Sequence, residues 1–181
     1  MKYFRKLSGK NLYLSPMNME DMPQYTKWIN DNSISDNLGN TWQLISVEKE
    51  KSILEGMAKE GYNFAIIRAE DDQLLGNISL FDINQIHRNA QCGLFIGEEE
   101  NRGKGYGAQA LSLLLEFGFD TLNLNNIMLK VFSFNEMAVS CYKKVGFKTV
   151  GERRNSYYLN GRYYNDIYMD ILKEDFTSHA R

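Results

Sequence analysis

Arg102-Gly103-Lys104-Gly105-Tyr106-Gly107 alternates glycine with two cations and a tyrosine. Glycine at alternate positions permits backbone with φ > 0 and lets a ligand come up against the main chain. A helix beginning there offers unpaired N–H groups and the positive end of its dipole to an anion. Arg102 and Lys104 add charge, so a pyrophosphate is the natural guest. Two phosphate motifs fit it poorly. A Walker-type loop needs Gly-Lys-Ser/Thr, whereas Gly103-Lys104 is followed by Gly105. Gly103, Gly105 and Ala108 meet the loose spacing of a dinucleotide loop. That fold also needs an acid about 20 residues on to hold a ribose hydroxyl, and no Asp or Glu occurs between Asp120 and Glu136. A tight strand-to-helix turn with no ligand is the plain alternative.

Outward from the loop, the pattern describes a sheet with helices against it. Gln109, Ser112, Glu116 and Asp120, at steps of three and four, predict a helix whose polar stripe is narrow and whose remaining girth is covered. Ile127 to Phe132 reads as a strand. Asn135 is a good N-cap for a helix over Glu136 to Val145, closed by Gly146 in the left-handed conformation. Phe147 to Gly151 and Tyr163 to Leu172 are the expected last strands, with a hairpin turn at Asn160-Gly161. On the N-terminal side, Phe64 to Arg68, Leu74 to Ile83 and Ala90 to Ile96 are extended, joined through Asp71-Asp72 and Asn84 to Asn89. Short polar connections make such strands antiparallel neighbours. Asn11 to Met17 predicts another strand, and Met19 to Asn30 and Val47 to Lys59 predict helices. The Asn-, Asp-, Ser- and Gly-rich stretch from Asp31 to Thr41 predicts a loop. The fold class is therefore α/β, a mixed and mostly antiparallel sheet with flanking helices.

Composition narrows the function classes. The chain has 181 residues, 43% apolar and 24% charged, with 2 prolines, which suits one folded domain over 1–181 and excludes a disordered chain. A formal charge of −2 lacks the basic excess of a general nucleic-acid binder. Cys92 and Cys141 form no CxxC, suit a reducing compartment, and imply neither disulfide nor metal. Met1 to Lys6 is followed by no apolar stretch of the signal-peptide kind. The greasiest run, Leu111 to Phe119, is broken by Ser112 and Glu116 and is far short of a span of about 20 residues. A cytoplasmic protein that engages neither membrane nor nucleic acid is the expectation.

Two segments together carry a family likeness. Arg102 to Gly107 resembles the (Arg/Gln)-x-x-Gly-x-(Gly/Ala) loop of the GNAT N-acetyltransferase superfamily. Asn135-Glu136-Met137-Ala138-Val139-Ser140-Cys141-Tyr142-Lys143-Lys144-Val145-Gly146-Phe147 is similar to its N-x-x-A-x-x-x-Y-x-x-x-G-F signature. The two stand in the right order with one helix and one strand between them, and the likeness runs from about Leu74 to Leu172. Ile86 to Ala90 and Tyr158 to Asp166 resemble the branch of ribosomal-protein N-terminal acetyltransferases and bacterial spermidine N-acetyltransferases.

The resemblance implies acetyl-CoA as donor, a primary amine as acceptor and direct attack of one on the other. It implies that backbone N–H groups of Arg102, Gly103, Lys104, Gly105, Tyr106 and Gly107 hold the pyrophosphate. The strand at Leu94, Phe95 and Ile96 would be splayed from its neighbour to bind the pantetheine arm, and Asn135 would bond that arm. Tyr142 would protonate the leaving thiolate; a phenol of pKa about 10 is protonated at neutral pH. Cys141, about 100° round the helix from Tyr142, reads better as a buried structural thiol than as an acyl carrier. Where the branch carries a glutamate in Ala-Glu-x-Gly, this chain has Ala90-Gln91-Cys92-Gly93. Gln91 cannot accept the proton, so Glu98, Asp82, His87 or water is left as base. Trp28, Asp31, Asp36, Trp42, Tyr157, Tyr158, Tyr163 and Tyr164 are the candidate acceptor wall, suited to a cationic amine or alternatively to plain packing. A peptide N-terminus, a polyamine, an aminosugar or another small amine satisfies that chemistry. An active enzyme and a CoA-binding sensor without turnover both follow from these residues, and a homo-oligomer is compatible with either.

Overall fold

Apolar side chains at every second position of the central strands divide between two faces, and the helices settle on both. The computed structural model describes residues 1–176; residues 177–181 of the expected domain lie outside the described part. Eight strands form one sheet: β1 (Leu7–Ser8), β2 (Leu12–Pro16), β3 (Tyr62–Arg68), β4 (Leu74–Asn84), β5 (Asn89–Ile96), β6 (Asn126–Phe132), β7 (Lys148–Leu159) and β8 (Arg162–Leu172). Their order is β1-β2-β3-β4-β5-β6-β8-β7. Every neighbouring pair is antiparallel except β5 and β6, which are parallel.

Five α-helices accompany them among the described residues: α1 (Met22–Ile29), α2 (Asn32–Leu38), α3 (Val47–Met57), α4 (Tyr106–Glu116) and α5 (Glu136–Val145). From α4 and α5, Leu111, Leu114, Tyr142 and Val145 pack with Leu12, Ile66, Ile78, Leu80, Ile127 and Met169 in the main core. Leu111 and Leu114 are fully buried, so cutting either back to alanine costs about 2–5 kcal/mol. Tyr25, Trp28, Ile34 and Leu54, from α1, α2 and α3, form a second cluster that takes in Phe95. On β5, Leu94 and Ile96 pack into the main core while Phe95 packs into the second, as the two-residue period of a strand requires.

Several expectations hold closely. Asn135 caps α5 through Oδ1, which accepts from the Ala138 N–H at 3.1 Å, and Gly146 closes it at φ 114°. Asn160 and Gly161 both have positive φ, as the tight hairpin turn between β7 and β8 needs. Others need correction. Asp31 to Thr41 is not all loop, because Asp31 accepts from the Ser33 N–H at 2.8 Å and caps α2. The polar composition masked a short helix whose burial rests on Ile34 and Ser35. The expected first helix begins as a 3₁₀ turn, Met19–Asp21. β7 runs well past Gly151, since two register shifts and exposed charges on this edge strand hide its alternation. Ser112 is buried, so the polar stripe of α4 is interrupted, and the helix continues into a π turn at Phe117–Thr121. β1 is too short to leave a pattern.

Candidate active site

β5 and β6 pair only at Asn89↔Asn126, Ala90↔Ile127 and Gln91↔Met128. Beyond that point β5 stays bonded to β4 as far as Ile96, and β6 stays bonded to β8 as far as Phe132. The two strands therefore part, and a slot opens between Cys92–Ile96 and Leu129–Phe132. The β5 edge facing it carries peptide groups with no ladder partner on that side, ready to bond a ligand.

The glycine loop lies at the end of the same strand. Gly103 and Gly105 take φ 73° and 84°, and Gly105 precedes α4 without any side-chain cap. No atom lies within 4 Å of a Cβ built on either glycine, so the loop is open on its outer side. The first N–H groups of α4 have no acceptor inside the helix, and nothing in the loop supplies one. A Cβ built on Gly107 would lie 3.4 Å from Leu94 Cδ1 and 3.9 Å from Cys141 Sγ. The entrance of α4, the lip of the slot and the flank of α5 meet at that point.

Arg102 is placed differently from Lys104. Its Nε donates to the Ile96 carbonyl at 3.2 Å and one terminal nitrogen donates to the Gly97 carbonyl at 2.8 Å, with Ser33 Oγ at 3.3 Å. The guanidinium thus fastens the loop to the end of β5, while Lys104 is exposed. Tyr142 faces the core from α5, its ring 6.0 Å from that of Phe147. Burial, followed by Cys92 and Cys141 nearby, holds its phenol well above the ordinary range. Burial also pushes up the Cys141 thiol and takes that of Cys92 to about 12, so neither supplies a thiolate at neutral pH.

Opposite α4, the groups considered as bases are sorted by their partners. Glu98 Oε1 accepts from Lys27 Nζ at 2.9 Å, Trp28 Nε1 at 3.0 Å and Gln24 Nε2 at 3.1 Å. Lys27, then Trp28, hold its carboxyl below the usual range, and its work is to moor α1 to the end of β5. His87 is exposed in the turn after β4. Gln91 stands at the last β5–β6 pair, and its Nε2 donates to Asp82 Oδ2 at 2.9 Å. The glutamine thereby carries a carboxylate beside the apex of the slot.

The acceptor-wall residues also separate. Trp28 is buried edge-on to Phe95 and Tyr25, so it is a core side chain, whereas Trp42 is exposed. Tyr158 and Tyr163 pack on each other near the hairpin tip. Tyr157 stacks on Phe132 at 4.0 Å between ring centres, Phe134 stacks on Phe132, and Tyr164 meets Phe134 edge-on. Asp36 Oδ1 accepts from Thr41 Oγ1 at 2.7 Å, and Tyr157 Oη donates to the Asp36 carbonyl. Asp31 is spent on capping α2. Phe132 and Phe134 were missed from sequence. The signal was available in β6, where Met128, Lys130 and Phe132 alternate with the core residues Ile127, Leu129 and Val131.

A parting pair of parallel strands with a bare helix entrance at its mouth is thus the concave feature that the fold builds. The acetyltransferase (GNAT) domain model matches residues 11–148, and the chain belongs to that family. Among its relatives, the spermidine N(1)-acetyltransferase of Escherichia coli K12 is 36% identical over 111 residues, 61% of this chain and 59% of that protein. The matched part thus spans about three fifths of that relative's length. The putative ribosomal N-acetyltransferase YdaF of Bacillus subtilis is 31% identical over 106 residues, 59% of this chain and 57% of that protein. The crystal structure of spermidine N-acetyltransferase from Vibrio cholerae in complex with CoA and spermine superposes with a TM-score of 0.82 at 26% identity, covering 91% of this chain and 97% of that one.

Proposed function

We propose that the protein is an acetyl-CoA-dependent N-acetyltransferase acting on a primary amine. The observation that carries this is the slot between β5 and β6, open at the uncapped N-terminus of α4. CoA in the Vibrio cholerae relative supports the donor, and its spermine, with the name of the Escherichia coli relative, supports an amine acceptor.

Acetyl-CoA supplies the acetyl group as a thioester; the chain supplies position and proton traffic. Backbone N–H groups from Arg102 to Gly107 bind the pyrophosphate at the positive end of α4, with Lys104 adding charge and Arg102 holding the loop in shape. Main-chain groups of Leu94 and Ile96 hold the pantetheine arm in the slot and polarise the thioester carbonyl, while the Phe95 carbonyl is turned to Gly76 on β4. Asn135, already fixed as a cap, contributes a side-chain contact to the arm. Asp82, positioned by Gln91, takes the proton from the amine. Tyr142 delivers a proton to the leaving sulfur, a role for which a phenol kept protonated by burial is suited. The aromatic wall at Phe132 and Tyr157, with Asp36 close by, favours a cationic acceptor.

The exchange of the branch's glutamate for Gln91 favours one competing reading, a CoA-binding protein without turnover. An amine panel containing polyamines, aminosugars and short peptides with free N-termini separates the two, with acetyl-CoA as donor and mass detection of products. Acetylated product with matching thiol release is the expected result. CoA binding with no product from any amine would leave the sensor.

A further inference from the structure

Lys130 and Asp166 are absorbed by neither the donor site nor the acid–base chemistry above. Asp166 on β8 is only 4% exposed, yet Oδ1 is buried without a hydrogen-bond partner. Such a carboxylate oxygen is costly to leave unmet, so a donor is called for. Asp166 lies directly across from Phe132 in the β6–β8 ladder. Phe132 in turn carries the stack with Tyr157 and Phe134. A cation is already present between the two: Lys130 Nζ is 3.8 Å from Asp166 Oδ2 and 5.1 Å from the centre of the Phe132 ring. Its side chain is 46% exposed and the ion pair is long, so it is held loosely and can swing out to water. A ring face beside a carboxylate is the pairing that recognises an organic ammonium. An ammonium with three N–H donors is able to meet both the occupied and the unmet oxygen.

The place along the strand fixes which ammonium is meant. The slot opens at Met128 and Phe132 ends β6, four positions on, about 13 Å at strand rise. An amine reacting within the slot reaches Phe132 only with a second nitrogen several bonds away. We propose that Phe132 and Asp166 form a subsite for the second, non-reacting ammonium of a diamine acceptor, and that Lys130 is a tethered occupant which such an acceptor displaces. Lys130 thereby sets the discrimination between acceptors bearing one charge and two. The reacting end of that acceptor rests on the N-acetyltransferase reading; the subsite itself does not.

Calorimetric titration of the CoA-loaded protein with 1,8-diaminooctane, long enough to bridge slot and subsite, and with 1-aminooctane tests this without turnover. Lys130→Met is expected to tighten 1,8-diaminooctane at least threefold and to raise its preference over 1-aminooctane by a similar factor. Adding Asp166→Asn, or Phe132→Leu should the buried aspartate be needed for folding, abolishes that gain. Equal tightening of both amines, or no tightening of the diamine, overturns the subsite. A protein that binds the diamine as expected but acetylates no amine would sink the transfer reading and leave the subsite standing.

Discussion

Burial keeps the Tyr142 phenol protonated far above neutral pH, which is useful for a proton donor and useless for a base. Tyr142→Phe keeps the ring packing on Phe147 and removes only the hydroxyl. Steady-state kinetics of that variant are expected to show kcat lower by about 10²-fold with acetyl-CoA binding within about twofold of the parent. An unchanged kcat would take Tyr142 out of the acid role. Asn135, Tyr142 and Gly146 were legible from sequence because their positions are fixed within one helix and its two caps. Arg102 and Glu98 were not. The former was legible as a charge, but its acceptors, the carbonyls of Ile96 and Gly97, face it only once the strand has ended there. Glu98 sits in an acidic run that reads as solvated, and only the packing of α1 against β5 gives it three donors.

Among the elements, α4 and α3 show how local chemistry is turned to different ends. Gly105 holds φ 84° at the entrance of α4 with open space around it, so Gly105→Ala meets no clash but strains the backbone by about 1–2 kcal/mol. Titration with CoA is expected to show affinity weakened about tenfold, with a small fall in Tm; unaltered affinity would mean that the loop's shape is not what binds. In α3, Glu50 is buried and its Oε2 has no partner, and burial raises its carboxyl above the usual range. A raised carboxyl favours the native state while protonated, so its penalty appears as pH climbs through the unfolded value near 4.3 and then the folded one. Glu50→Gln should therefore raise Tm by a few degrees at pH 8 and leave it unchanged near pH 4, as thermal melts at the two pH values will read. A stabilisation that persists at pH 4 would point to packing instead of charge. The elements that escaped sequence reading, α2 and the far half of β7, share one cause: their side chains are polar, so no buried periodicity marks them.

At the scale of the whole molecule, the site exists because two strands part. That was expected only through family likeness, since no residue in β5 or β6 states where their pairing stops. Beyond Gln91 and Met128 each strand keeps only its other neighbour, β4 for β5 and β8 for β6, and the β6–β8 ladder joins residues distant in sequence. The same separation bares the β5 edge, where the proposed donor would lie, and Phe132, at the far end of β6, stacks with Tyr157 of β7. Hydrogen exchange with and without CoA tests this most directly, read at the individual amides of 93–96 and 103–108. CoA is expected to slow exchange at both stretches together. Protection that falls on neither, with CoA bound elsewhere on the surface, would contradict it.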